Sequence, residues 1–246
     1  MKIALMGYGN MGQELERVIG SSDKHQVVSV SLKSVDGVWD IDGLRKSDVV
    51  IDFTHPSVIL ENIKKVAALG KNMVVGTTGW YDKVDEVKRI IKQKKIGLIY
   101  AQNFSIGANI FFKVVKDVSK LFAKFGGYDV YGFEVHHSGK KDSPSGTAVR
   151  IAKEILNNFP SKKKLQAEKL DRQIEKTELH FASVRGGRNP GYHEVVFDSI
   201  ADSITLSHQA HNRTGFAKGA ILAAEFIKGK KGLYNFDQVF EGGDTG

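Results

Sequence analysis

"IALMGYGNMG", residues 3–12, decides the fold of this chain. Four apolar residues, Ile3 to Met6, read as a short buried strand. Gly7, Gly9 and Gly12 follow in the spacing G-x-G-x-x-G. In that spacing the first glycine permits a tight turn and the second lets a pyrophosphate approach the backbone. The third lets helix and strand pack closely. A helical pattern then runs to Ile19, so the helix N-terminus offers free N–H groups and a partial positive charge. The motif alone is weak. Between a strand and a helix, at the head of a βαβ unit, it predicts dinucleotide contacts from Gly7, Tyr8, Gly9, Asn10, Met11 and Gly12.

Further along, "VVSVSL" (27–32), "DVVIDF" (48–53), "NMVVG" (72–76) and "IGLIYA" (96–101) read as strands, with helices between them. Pro56 sits where a first-turn proline belongs and Gly70 closes that helix. A further helix spans 82–95. Strands alternating with helices predict an α/β fold with a Rossmann-type, doubly wound parallel sheet. Near Asn103 the pattern changes. A long helix over 106–124 precedes the alternating strand "YDVYGFEVHH" (128–137), and a second helix covers 145–158. The lysine-rich segment 161–178 is weakly patterned and expected to be exposed. "ELHFASV", "HEVVFDSI" and "DSITLSHQA" then predict a mixed or antiparallel sheet, and a helix over 214–228 returns to the first domain. The expected division is a dinucleotide-binding domain over 1–103 and 214–246, and a smaller α+β domain over 104–213.

Composition narrows the function. The 246 residues suit one large domain or two small ones, and 41% are hydrophobic. No apolar run approaches the roughly 20 residues of a membrane span. The first residues, one lysine and a short apolar run leading into glycines, do not read as a secretory signal. The absence of cysteine excludes disulfides, thiolate metal sites and a cysteine nucleophile, and a cytoplasmic home is the simplest expectation. The net charge of +8 comes partly from lysine clusters at 92–95, 162–164 and 228–231. These lie at expected helix ends or loops, where positive charge is favourable at C-termini. No nucleic-acid signature accompanies them. Neither nucleic acid nor membrane is expected as a partner.

Two loops at strand ends, "GTTG" (76–79) and "AQNFS" (101–105), occupy the edge where open parallel sheets bind ligands. Gly76, Thr77 and Thr78, with Ala101, Gln102, Asn103 and Phe104, are candidates to hold a nicotinamide. By pattern alone they read equally well as ordinary turns. The second strand ends in Lys33 and Ser34, where an acid would select NAD. A lysine and a hydroxyl suit a 2′-phosphate, so NADPH is expected to be preferred with NADH still usable. Asp36, three residues after Lys33, leaves open the alternative of a surface lysine beside an acid that takes the ribose.

"EVHHSGKKDSPSGTA", residues 134–148, gathers the remaining chemistry. Imidazole exchanges protons near neutral pH, which makes His136 and His137 candidates. Lys140 adds a fixed positive charge. Ser145, Gly146 and Thr147 open a helix after Pro144 and offer N–H groups to an anion. Adjacent histidines at a strand end point to opposite faces, and no third ligand stands nearby, so no metal site is expected. A polar loop with a helix cap at Ser145 is the plainer alternative.

This run resembles the signature of the dihydrodipicolinate reductase family. The resemblance continues through "GYGNMG", "DVVIDFTHP", "VVGTTG", "AQNFSIGAN" and "SHQAHNRTGFAKGA", in that order along nearly the whole chain. It implies reduction of a small cyclic dicarboxylate with NADH or NADPH, in lysine and diaminopimelate biosynthesis. It implies homotetramers built through the second domain, which would then bind substrate and oligomerise. By the same resemblance His136 is the catalytic acid/base and Lys140 the catalytic lysine. His137 binds substrate, and the Ser145–Thr147 segment holds a substrate carboxylate. Lys33 departs from relatives that carry an acid there, and the segment before "DVVIDF" is short. Two rivals remain at this stage. One is another two-domain dinucleotide reductase, resembling aspartate dehydrogenase. The other is a dinucleotide-sensing regulator without catalysis. Neither needs the 134–148 run.

Overall fold

Alternate residues of each apolar run face opposite sides of a sheet, and in the first unit of this protein both sides are covered. The computed structural model describes residues 1–31 and 39–241. The chain divides into two compact units, Met1–Ile106 with Arg213–Gly246, and Gly107–Asn212. The first unit opens with β1 (Lys2–Met6), α1 (Asn10–Gly20), β2 (Gln26–Ser31) and α2 (Ile41–Lys46). It continues with β3 (Val49–Asp52), α3 (Ile59–Ala68), β4 (Asn72–Val75), α4 (Val84–Lys94) and β5 (Gly97–Tyr100). Two expectations shift here. The helix after β3 starts at Ile59 with Val58 as its N-cap, so Pro56 lies in the turn ahead of it. The segment 81–94 begins as a short 3₁₀ turn before α4. Gly70 follows the C-cap of α3 with φ 67°, a conformation glycine adopts without strain.

The second unit contains most of α5 (Ile106–Phe125), then β6 (Asp129–His136), α6 (Gly146–Asn158), β7 (Lys164–Gln166), β8 (Glu178–Arg185), β9 (Tyr192–Asp198) and β10 (Ser203–Gln209). Its sheet runs β10-β9-β6-β8-β7, antiparallel on one side of β6 and parallel on the other. Phe111, Phe112 and Val115 of α5 and Ile151 and Ile155 of α6 pack with Val130, Phe181, Val195 and Phe197 on its inner face. The lysine-rich segment is not simply exposed. Lys162 is buried, with its ammonium on the carbonyls of Lys176 and Glu178 and on the Asp129 carboxylate. A buried lysine survives only when so paired.

The chain returns to the first unit through α7 (Thr214–Ile227) and β11 (Gly232–Asn235), followed by a 3₁₀ turn over Phe236–Val239. The six strands are all parallel, in the order β11-β5-β4-β3-β1-β2. Ile3, Leu5, Val49, Ile51, Val74 and Ile99 face α1 and α7. Ala4, Met6, Val50, Met73, Val75 and Leu98 face α3 and α4. Each fully buried side chain of this kind contributes roughly 1.5–3 kcal/mol by leaving water. Strand order reverses at β1, which lies between β2 and β3. Ligands of such sheets bind beyond the carboxyl ends of the strands at that point.

Candidate active site

The loop after β1 divides three tasks among its glycines. Gly7 has φ 89°, and a Cβ there would lie 2.4 Å from the Phe53 carbonyl oxygen. At Gly12 a Cβ would meet the Gly7 oxygen at 2.2 Å, so helix and loop touch backbone to backbone. At Gly9 a Cβ would meet nothing within 4 Å. The middle glycine therefore faces open space, as close approach of a pyrophosphate requires. Gly9 is also the N-cap of α1 and supplies no side-chain cap, leaving first-turn N–H groups to a ligand. Tyr8 turns its hydroxyl to the Glu16 carboxylate, a bond that raises the phenol's pKa.

A cleft of about 370 Å³ opens at this loop, lined there by Gly9, Asn10 and Met11. Phe53, Thr54 and Pro56 after β3, then Gly76, Thr77 and Thr78 after β4, complete most of its wall. Arg213, just before α7, adds a cation. These residues fit a dinucleotide: an open glycine, free helix N–H groups and a guanidinium for phosphate. The loop after β5 is turned differently. Ala101 and Phe104 are buried in the core, Phe104 lying edge-on to Phe53 and close to Phe236. Gln102 is exposed and Asn103 accepts from the Ser105 backbone N–H at 2.7 Å. Lys33 and Ser34 lie outside the described residues.

Asp52 organises the cleft from below. Its buried carboxylate accepts from the Thr54 N–H at 2.9 Å, and from the Thr54 and Thr77 hydroxyls and the Asn62 amide at 2.8 Å each. Burial pushes its pKa up, and the four bonds pull against that rise. One carboxylate thus pins two of the loops that line the cleft.

In the second unit β6 ends at His136, whose side chain points inward and is 7% exposed, while His137 is half-buried. The His136 ring rests on Gly191, where a Cβ would lie 2.9 Å from Cε1. Two residues earlier, on the same face, Glu134 is fully buried. Its Oε1 accepts from the Ser145 N–H at 2.9 Å, the Ser183 hydroxyl at 2.9 Å and Arg185 Nη2 at 2.7 Å. Its Oε2 accepts from the Ser145 hydroxyl and lies 3.4 Å from His136 Nε2 and 3.3 Å from His193 Nε2. Burial would raise the Glu134 pKa, but His136, His193, Ser145 and Arg185 more than offset it and hold the group well below the usual carboxylate range. Burial lowers the pKa of His193 against the pull of Glu134, and lowers that of His208 beyond it.

Ser145 caps α6, accepting from the Ala148 N–H at 3.1 Å, a contact worth about 1 kcal/mol to the helix. Gly146 is exposed with open space where a Cβ would stand, and Thr147 is half-buried beside it. Lys140 is held by Asp142 at 2.6 Å, and Arg185 bonds the Asp142 carbonyl at 2.6 Å. The fold therefore gathers His136, Lys140 and the Ser145–Thr147 helix start around one ionic network. Glu134, His136 and His193 have ligand atoms within 4.8 Å of one another. With four donors already on Glu134, Arg185 among them, this is a hydrogen-bonded anion rather than a seat for a cation.

Sequence reasoning missed His193, Arg185, Asp52 and Arg213. The alternation in "YHEVVFD" places His193 on the face of Val195 and Phe197, a polar residue on an apolar side. That was the one available signal.

Residues 1–104 match the family model described as dihydrodipicolinate reductase, N-terminus, and residues 107–240 the one described as dihydrodipicolinate reductase, C-terminus. A 4-hydroxy-tetrahydrodipicolinate reductase from Christiangramia forsetii is 36% identical over 239 residues, covering 97% of each chain. One of the same name from Methanocaldococcus jannaschii is 36% identical over 228 residues, covering 91% of this chain and 81% of that protein. The solved structure of a dipicolinate-bound dihydrodipicolinate reductase from Paenisporosarcina sp. TG-14 shares the fold. Its TM-score is 0.75 at 24% identity, over 96% of this chain and 97% of that one.

Proposed function

The chain belongs to the dihydrodipicolinate reductase family, and from that premise we propose how its residues divide the reaction. The protein is an oxidoreductase that reduces 4-hydroxy-tetrahydrodipicolinate to tetrahydrodipicolinate in lysine biosynthesis. Its N-terminal unit is a dinucleotide-binding domain. The second unit binds the small dicarboxylate and carries the proton donor.

When bound, the nicotinamide supplies a hydride to C4 of the substrate's conjugated ring. Gly9, Asn10 and the head of α1 would hold the pyrophosphate, and the Gly76–Thr78 loop, which Asp52 fixes through Thr77, would orient the nicotinamide ring. Ala101 and Phe104 support that site from the core, Phe104 bracing Phe53 of its wall, and Gln102 and Asn103 extend it at the surface. Addition at C4 leaves negative charge that spreads towards the ring nitrogen. His136 gives a proton to the neighbouring carbon. Because the 4-hydroxyl leaves as water to form the conjugated ring that accepts the hydride, the net change is loss of one water and gain of one hydride and one proton. Lys140, His137 and the N–H groups of Gly146 and Thr147 bind the carboxylates and offset the developing charge. The observation that carries this assignment is the convergence of His136 and the Ser145-capped head of α6 on one carboxylate, Glu134. Lys33 and Ser34 favour NADPH over NADH. The outward face of the second sheet keeps Tyr131 and Val184 exposed, at 43% and 50%, which supports a homotetramer joined through that unit. Among the described residues no helix is long and apolar enough to cross a membrane. With no cysteine in the chain, a cytoplasmic location is the reading we favour.

The test is NADPH oxidation with freshly made product of the preceding condensation step. Rapid, substrate-dependent oxidation is expected. Oxidation with an α-keto acid and ammonia instead would support a different reductase, and tight NADPH binding without turnover would support a sensor.

A further inference from the structure

Glu134 takes no part in the reaction as proposed, yet strand register brings charged and polar groups to it from every side. Glu134 and His136 share one face of β6. In β9 His193 stands opposite Glu134, and in β8 Ser183 stands opposite Glu134 with Arg185 opposite His136. A buried carboxylate needs donors, and Ser145, Ser183 and Arg185 already satisfy Oε1. The Oε2 edge goes further and faces two imidazole nitrogens at 3.4 and 3.3 Å. His193 is the deeper of the two, and burial lowers its pKa. His136, at the end of β6 and less deeply buried, is the imidazole through which Glu134 reaches the site.

We propose that Glu134 is the positioning residue of the proton donor. Its Oε2 edge, 3.4 Å from Nε2, sets the direction in which the His136 ring faces, while its bonds to Ser145 hold the head of α6 at the same point. One side chain thereby ties the group that donates the proton to the helix start that grips the substrate. This inference rests on the reading of His136 as proton donor. The charged or titratable groups facing Glu134 are His136 on β6, Arg185 on β8 and His193 on β9. Lys140 and Asp142 in the loop and His208 on β10 stand behind them.

The experiment is turnover measured across pH for the wild type, Glu134→Gln, Arg185→Met and His136→Gln. Glutamine keeps the shape and loses the charge. Glu134→Gln should lower kcat roughly 10- to 100-fold, the range of a lost orienting partner. The pH above which turnover declines should also move lower, because a negative charge 3.4 Å from the donor's Nε2 has been removed. Arg185→Met removes a cation that competes for the same carboxylate, so its decline should move to higher pH. A kcat reduced equally at every pH in Glu134→Gln would show mere scaffolding and overturn the proposal. Should Glu134→Gln fail to fold, Arg185→Met decides alone, and a profile unmoved from wild type overturns it. Near-normal turnover in His136→Gln would sink the proton-donor reading itself, a failure distinct from that of Glu134.

Discussion

Lys140 has its ammonium 2.6 Å from Asp142 and is partly buried, whereas Lys141 beside it is exposed. A charge-assisted bond from Lys140 to a substrate carboxylate is worth about 1.5–3 kcal/mol. Replacing Lys140 by Ala should therefore reduce kcat/KM roughly 10- to 100-fold, raising KM and lowering kcat together. Lys141→Ala should change it about twofold or less, as exposed substitutions usually do. Equal effects in steady-state kinetics would show that the wrong lysine has been chosen. Lys33 makes the second prediction at this scale. A 2′-phosphate carries close to two negative charges, and an acid at that position would repel it. Wild-type kcat/KM should favour NADPH about tenfold or more, and Lys33→Glu should narrow or invert the ratio at fixed ionic strength. A ratio untouched by the substitution would remove Lys33 from the ribose site.

The cofactor loops are pinned as elements, through Asp52. Asparagine at that position would present an N–H₂ group to donors that now share a carboxylate. Leaving buried donors unpaired costs about 1–3 kcal/mol. Asp52→Asn should lower the urea midpoint and weaken NADPH binding in a fluorescence titration. Thr77→Val, which removes one donor and keeps the carboxylate, should do less of both. Normal NADPH affinity in a folded Asp52→Asn protein would mean that the two loops hold their shape unaided.

At the scale of the whole molecule, acid should unfold the protein in two stages. His193 and His208 are lowered from 6.5 by burial, so the unfolded chain takes up protons there that the folded one refuses. Stability is then lost as pH falls below about 6.5. Glu14, held down to about 2 by Arg17 and Thr214, and Glu178, held down to about 2 by Arg172, add stability above an ordinary glutamate's 4.5. That share is lost as pH falls from 4.5 towards 2. Asp52, raised by burial, works in the opposite sense over part of the range. Melting temperature should therefore decline from about pH 6.5 downward and more steeply below 4.5. A Tm that rises between pH 7 and 5 would contradict the histidine assignment. Assembly is the other prediction. Light scattering should give four times the chain mass, and Val184→Glu on the exposed sheet face should reduce it. A monomeric wild type would refute the tetramer.

Much of this protein was legible without coordinates, and the reason is that its signals are local. Runs such as "VVID" and "NMVV", separated by helical patterns, carry strand and turn within a few residues each. Their alternation dictates a parallel sheet because parallel strands need crossovers. The Gly7–Gly12 loop, the Ser145 cap and the opposite facing of His136 and His137 were readable for the same reason. What lay beyond reach is set by register between distant segments. The short β7 and β11 pair only because β8 and β5 are already in place beside them. Thr77 meets Asp52 across 25 positions, Ser183 meets Glu134 across 49 and Arg185 meets it across 51. No spacing rule along the chain encodes such meetings. They follow from which strands become neighbours, and a shift of one residue would turn each of these side chains to the other face. The chain itself thus determined the chemistry available, and only the folded sheets decided that Glu134 would stand beneath His136.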